Sequence, residues 1–205
     1  MPRPRILYLA SGNGDKAAEF AALAHRDRLH IEIRAAGGLG GMPPVPEDTG
    51  TFAGNARQKA QALRRQAPAG SWVLADDSGL CVDALGGAPG VDSAIYAGRH
   101  LDAAGNRAKL LGALEGMPSE RRAAHFFCLL LLLEGDDGER IFEGRCHGRI
   151  ASAERGGGGF GYDPLFEVEG RTFAEMTEST KNRISHRARA WAAFASWVRG
   201  LPPAA

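Results

Sequence analysis

The chain has 205 residues, 44% of them hydrophobic and 24% charged, a balance that suits a folded globular protein and excludes a disordered one. Its 25 basic and 24 acidic side chains leave a formal charge of +1, which gives no global reason to bind a nucleic-acid polymer or an anionic membrane. The length suits one sizeable domain over residues 1–205, or two lobes sharing one core. The 28 glycines, roughly twice the usual ~7%, follow no G-X-Y repeat and gather in short clusters, so they read as special loops. Cys81, Cys128 and Cys146 form no CxxC pair and read as buried thiols in a reducing compartment. The N-terminus lacks the apolar stretch of a secretory signal. The most apolar run, Phe126 to Leu133, is far short of the ~20 residues a membrane helix needs. A cytoplasmic protein is expected, with no membrane partner.

In chain order, Arg5 to Ala10 is a short apolar run that stops at Ser11-Gly12-Asn13-Gly14. Ala17, Phe20, Ala21 and Ala24 then recur at helical spacing, so a strand, a glycine-rich loop and a helix open the chain. Leu29 to Arg34 alternates like a second strand. Gly37 to Pro46 carries four glycines and three prolines in ten positions and is expected to be loop. A helix is expected from near Thr49 to about Ala67, capped by Asp48 or Thr49. Trp72 to Ala75 reads as a buried strand ending on Asp76-Asp77-Ser78-Gly79. Gly86 to Gly90 is a turn, and Asp102 to Leu114 a helix. Ala123 to Leu133 reads as a central strand joined through a Gly135-Asp136-Asp137-Gly138 hairpin to Arg140–Ile150. Ser185 to Arg199 closes the chain as a helix. Helices and strands mix throughout, which predicts an α/β fold around a mixed sheet.

Four segments carry candidate chemistry. Ser11-Gly12-Asn13-Gly14-Asp15-Lys16 lies between a strand and a helix, where backbone N–H groups and a lysine can meet a phosphate. It has neither P-loop nor dinucleotide-fingerprint spacing. Only four of the 25 basic residues are lysines (16, 59, 109 and 181), so each invites inspection, because a compact ammonium does a different job from a planar guanidinium. Lys16 and Lys181 sit beside polar loops; Lys59 and Lys109, on helices, are expected to be solvated. Glu47-Asp48-Thr49-Gly50 and Asp76-Asp77-Ser78-Gly79 supply hard oxygen ligands suited to Mg²⁺ held partly by substrate phosphates. In Arg155 to Pro164, four consecutive glycines can lie against a flat ligand, with Phe160 and Tyr162 offering faces for stacking. In Lys181 to Arg187, Ser185 is a natural N-cap, which leaves His186 and Arg187 in the first helical turn. Cations there oppose the helix dipole and call for a compensating anion or carbonyl.

Taken together, SGNGDKAAEF, EDTGTFAGNARQKA, VLADDSGLCVDALGGAPGVDSAIYAG, GGGGFGYDPLF and KNRISHRARA resemble the Ham1-like family of non-canonical purine nucleoside triphosphate pyrophosphatases. The stretches occur in the family's order from near residue 6 to about residue 191. The resemblance implies a two-lobed α/β fold around a mixed, twisted central sheet, with helices on its faces and the active site in a cleft between the lobes. It also implies a homodimer, Mg²⁺ dependence, and hydrolysis of ITP, dITP or XTP to the monophosphate and pyrophosphate. Carried over by motif, Ser11, Gly12, Asn13, Gly14, Asp15 and Lys16 would bind the triphosphate. Glu47 and Asp77 would hold Mg²⁺, and Asp77 would also be the general base. Ser78, Phe160, Gly161, Tyr162, Asp163, Lys181, His186 and Arg187 would contact the substrate. Ser11 stands where the family usually has threonine, and Ile95 where it usually has arginine. The alternatives are a Maf-like pyrophosphatase acting on other modified nucleotides and a non-enzymatic nucleotide sensor.

Overall fold

The computed structural model describes residues 4–12, 14–99, 102–135 and 138–201. Arg5–Leu9 forms strand β1, Gly14–Asp27 helix α1 and Ile31–Ala35 strand β2. β2 runs parallel to β1, with Leu7 opposite Ile33, as a strand–helix–strand crossover requires. Strand β3, Trp72–Val82, pairs with the other side of β1, also in parallel. Between β2 and β3 lies helix α2, Phe52–Arg64; helix α3, Ala103–Ala113, follows β3. Then come β4 (Ala123–Glu134), β5 (Gly138–Ile150), β6 (Phe166–Val168), β7 (Arg171–Thr172), α4 (Glu178–Ile184) and α5 (His186–Arg199).

The seven strands line up in the order β2-β1-β3-β4-β5-β6-β7. With β6 antiparallel to both β5 and β7, the sheet is mixed, and the α/β expectation holds. β4 stands between two neighbours and its residues from Phe126 to Leu132 are buried. That position explains an unbroken apolar run where a one-sided strand would alternate. Among the described residues, no helix is long and apolar enough to cross a membrane.

The chain divides into two compact units, residues 1–77, 128–144 and 188–205 in the first and residues 78–127 and 145–187 in the second. Each has its own apolar cluster, where the sequence suggested one shared core. In the first, Leu7, Leu9, Phe20, Trp72, Leu74, Leu130 and Leu132 gather around Trp191 and Phe194 of α5. The Trp191 indole N–H donates to Asp27 Oδ2 at 2.8 Å. In the second, Leu80, Val82, Leu110, Leu114, Phe126, Phe166 and Phe173 pack together. There Phe126 lies edge-on to Phe166 and stacked with Phe173.

The structure revises several local expectations. β3 does not stop at Ala75 but continues through Asp76-Asp77-Ser78-Gly79 to Val82, so the two carboxylates sit inside a buried strand rather than in a turn. Polar residues look like strand ends in a sequence; here ion pairing keeps them within the ladder. Neither Asp48 nor Thr49 caps α2. Thr51 does, its hydroxyl oxygen accepting the Gly54 N–H. Helix α4 had no periodicity long enough to be read, and Ala36–Leu39 coils into a short 3-10 turn inside the expected loop. The expected Asp136-Asp137 turn lies outside the described residues. Cys128 and Cys146 are buried thiols outside any disulfide, as expected, but Cys81 is only half-buried.

Gly79 is fixed by proximity. A Cβ there would overlap the backbone carbonyl oxygen of Gly90 and crowd Ser93 Oγ, and that same hydroxyl accepts the Leu80 N–H. Gly79→Ala should therefore cost about 1–3 kcal/mol in urea unfolding. Wild-type stability would show that the strand and the Gly90 turn are not held this closely.

Candidate functional site

In the first unit the chemistry gathers where β3 meets α1 and α2. The buried face of α2 carries Asn55, Ala56, Lys59, Ala60 and Leu63, spacings of three and four that place them on one side. Lys59, expected from the sequence to be solvated, is thus buried, and its ammonium donates to Asp77 Oδ1 at 2.5 Å and Glu47 Oε2 at 3.0 Å. It was legible in principle, because Ala56, Ala60 and Leu63 mark its side of the helix as apolar. A lysine buried there demands carboxylate partners.

Glu47 reaches the ammonium from an unusual backbone state, φ +50°, a region non-glycine residues rarely occupy. The segment is tied down beside it. Thr49 Oγ1 donates to Asn55 Oδ1 at 2.7 Å, the Thr49 N–H reaches the same oxygen at 3.2 Å, and Gln58 donates to Asp48 at 3.1 Å. Such locally costly geometry persists where surrounding bonds over-determine it.

Asp76 and Asp77 are both buried. Lys16, at the start of α1, pairs with Asp76 Oδ2 at 2.6 Å, and the Cys128 thiol lies 3.1 Å from Asp76 Oδ1. Asp77 Oδ2 is buried and has no hydrogen-bond partner among the described residues. Burial pushes the Asp77 carboxyl up to about 6, with Asp76 acting in the same direction and Lys59 and Lys16 opposing. Burial also pushes Lys59 down, but Asp77, Glu47 and Asp76 outweigh it and hold the ammonium above its usual range. At neutral pH, then, Lys59 is protonated and Asp77 largely ionised. Two ammonium groups face three carboxylates, a local excess of one negative charge that suits a further cation.

The donor set fits Mg²⁺ in one particular way. Among the described residues, no group of three or more His, Cys, Asp and Glu side chains could hold a metal. Two carboxylates with an orphaned buried oxygen suit an ion that takes one or two protein carboxylates and completes its octahedron with water and phosphate oxygens. Of the expected phosphate loop, Ser11 and Gly12 precede α1. Asn13 lies outside the described residues, as does the side chain of Asp15.

The second unit holds the other group. Asp163 Oδ2 accepts from the Phe160 N–H at 2.8 Å and from Lys181 Nζ at 2.7 Å, so both donors converge on one buried carboxylate. A side chain at Gly159, φ +71°, would overlap that carboxylate, which accounts for glycine there. The Lys181 ammonium and the Arg187 guanidinium lie 4.5 and 5.2 Å from the Phe160 ring centroid, within cation–π range. His186 stacks on Phe126 with centroids 4.7 Å apart, so aromatic faces lie against the side chains that open α5. Tyr162 corrects the sequence reading. It is buried in the core cluster and its hydroxyl donates to the Ser93 carbonyl at 2.9 Å, so its ring is structural, not a free stacking face. Ser78 is half-buried and Gly161 accepts from Arg107 through its carbonyl.

Removing one member of the Lys59–Asp77 pair should leave the other buried and uncompensated. Lys59→Met should lower stability by about 3 kcal/mol in chelator, whereas Lys59→Met with Asp77→Leu should recover most of that loss. Chemical unfolding of both variants checks it; additive losses would show that the pair is not energetically coupled.

Comparison with known proteins places the chain in a family. The Ham1 family model matches residues 7–197. A protein of Opitutus terrae named "dITP/XTP pyrophosphatase" is 60% identical over 199 residues, covering 94% of this chain and 98% of the relative. The solved HAM1 protein of Coxiella burnetii superposes with a TM-score of 0.85 at 37% identity, over 96% of this chain and all (100%) of that one. The Staphylococcus aureus Ham1 protein does so with a TM-score of 0.83 at 33% identity, over 96% and 99%. On sequence and fold alike, the chain belongs to the Ham1 family.

Proposed function

We propose that this protein hydrolyses non-canonical purine nucleoside triphosphates, ITP, dITP and XTP, to the monophosphate and pyrophosphate, and so clears them from the nucleotide pool. The observation that carries the reading is the pairing of Lys16 with buried Asp76, and of buried Lys59 with Glu47 and Asp77, in a chain 60% identical to a protein named dITP/XTP pyrophosphatase. A cytoplasmic homodimer completes the proposal. Of the large hydrophobic side chains described, only Ile95 and Ile141 are exposed, and Ile95 stands where the family usually has arginine.

Each residue has a physical task. Lys16 and Ser11, with the N-terminus of α1, would meet phosphate oxygens; a point charge and backbone donors suit a triphosphate. Glu47 and Asp77 would hold Mg²⁺, which when bound supplies charge neutralisation at the phosphates. Lys59 keeps the two carboxylates close together despite their like charge. Asp77, with its carboxyl near 6 and one oxygen unpartnered, suits a general base at neutral pH. It would orient a water and take its proton as the water oxygen bonds to the α-phosphorus; the bond from that phosphorus to the bridging oxygen breaks and pyrophosphate leaves.

Base selection would fall to the second unit. Phe160 offers a ring face for stacking that is largely indifferent to base identity. His186 and Arg187 would donate to the 6-oxo group of hypoxanthine or xanthine, a position where adenine presents an amino donor. Asp163 would position Lys181 and the Phe160 loop rather than touch the base.

Pyrophosphate release measured across XTP, dITP, ITP and the four canonical triphosphates tests the reading; preference for canonical nucleotides, or no release, would overturn it. Asp77→Asn and Glu47→Gln should each abolish most turnover while leaving the chain folded, and activity should need divalent metal and vanish with chelator. Full Mg²⁺-supported activity in Asp77→Asn would remove both roles assigned to that residue. Arg187→Ala should shrink the ITP-to-ATP ratio of kcat/KM by about 10- to 100-fold, whereas Phe160→Ala should lower both and roughly keep the ratio. The opposite pattern would assign base reading to the glycine-rich loop.

A further inference from the structure

One buried thiol lies against the charge cluster without a place in the chemistry proposed above. Cys128, on β4, is fully buried and belongs to the first unit's apolar cluster with Leu7, Leu9, Leu74 and Leu130. Its Sγ is 3.1 Å from Asp76 Oδ1, while Asp76 Oδ2 is 2.6 Å from Lys16 Nζ. The carboxylate is thus gripped at both oxygens, by a thiol from the core and by the lysine of the glycine-rich loop.

The geometry points to Cys128 as a positioning residue for Lys16: its S–H donates to Asp76, fixes the rotation of that carboxylate, and so fixes where the Lys16 ammonium stands. The inference rests on the reading of Lys16 as a phosphate ligand. An ionised carboxylate only accepts hydrogen bonds, and a buried one needs donors. A thiol is a weak donor, but an ionised acceptor strengthens the bond. Among leucines it also packs as a small hydrophobe, which a hydroxyl does less well. A lysine stem is flexible, and anchoring it before the ligand arrives reduces the ordering cost of binding. Cys128 itself touches no substrate in this account, so its effect should appear in phosphate affinity and not in the chemical step.

The test uses the full chain with Cys128→Ala and the better-filling Cys128→Val, which remove the donor, and Cys128→Ser, which keeps it. Two quantities are read: KM and kcat with XTP, and the affinity for inorganic pyrophosphate by calorimetry in chelator. Alanine and valine should raise KM and weaken pyrophosphate by about 3- to 10-fold, with kcat within about twofold of wild type. Serine should restore both quantities despite placing a hydroxyl in the core. A purely structural thiol predicts the reverse pattern. Thermal stability would fall, most of all with serine, while KM and pyrophosphate affinity of the folded protein stayed at wild-type values, and that result overturns the proposal. A wild-type chain with no affinity for pyrophosphate overturns it too. A wild-type chain that binds pyrophosphate but hydrolyses no nucleotide would overturn the proposed function alone, and the affinity series would still decide the role of Cys128.

Discussion

A buried ammonium between two carboxylates sets the terms for the first unit. Lys59 lies on the apolar side of α2, and neither its charge nor that of Asp77 would be tolerable there alone. Much of the surrounding detail follows from keeping the pair together. Thr51 sets where the helix begins, Asn55 ties the preceding segment to it, and Glu47 takes a left-handed backbone conformation to reach the same ammonium. The arrangement leaves an excess of negative charge and one carboxylate oxygen of Asp77 without a hydrogen-bond partner among the described residues.

The second unit solves a related problem with different partners. Lys181 is buried against Asp163, and the same carboxylate holds the Phe160 N–H. Here an aromatic face joins the carboxylate in balancing the cations, Phe160 facing Lys181 and Arg187, and Phe126 stacks on the His186 ring. Rings and guanidinium groups suit a flat, uncharged ligand part, whereas clustered carboxylates and ammonium groups suit phosphates and their metal.

Much of this was legible from the residues. The β1–α1–β2 opening, the apolar run of β4 and the closing helix all follow from periodicity, and the five motifs in order pointed to the family. What escaped was whatever depends on tertiary partners. Asp76-Asp77 looked like a strand end because buried carboxylates are improbable until Lys16 and Lys59 are in place. Lys59 looked solvated because lysines on helices usually are, although the alanines and leucine beside it marked a buried face. Tyr162 looked like a stacking face because nothing local reveals that its hydroxyl is taken by Ser93, far away in the chain. The pairing of Cys128 with Asp76 joins two strands and could not be read from either.

The central claim is that Glu47 and Asp77, held together by Lys59, receive one divalent cation alongside a phosphate ligand. Electron paramagnetic resonance of Mn²⁺ titrated into the full chain with pyrophosphate present measures this directly, since it counts bound metal without needing turnover. The account predicts one tight Mn²⁺ per chain, lost in Asp77→Asn and weakened in Glu47→Gln. Unchanged stoichiometry and affinity in both variants would contradict it.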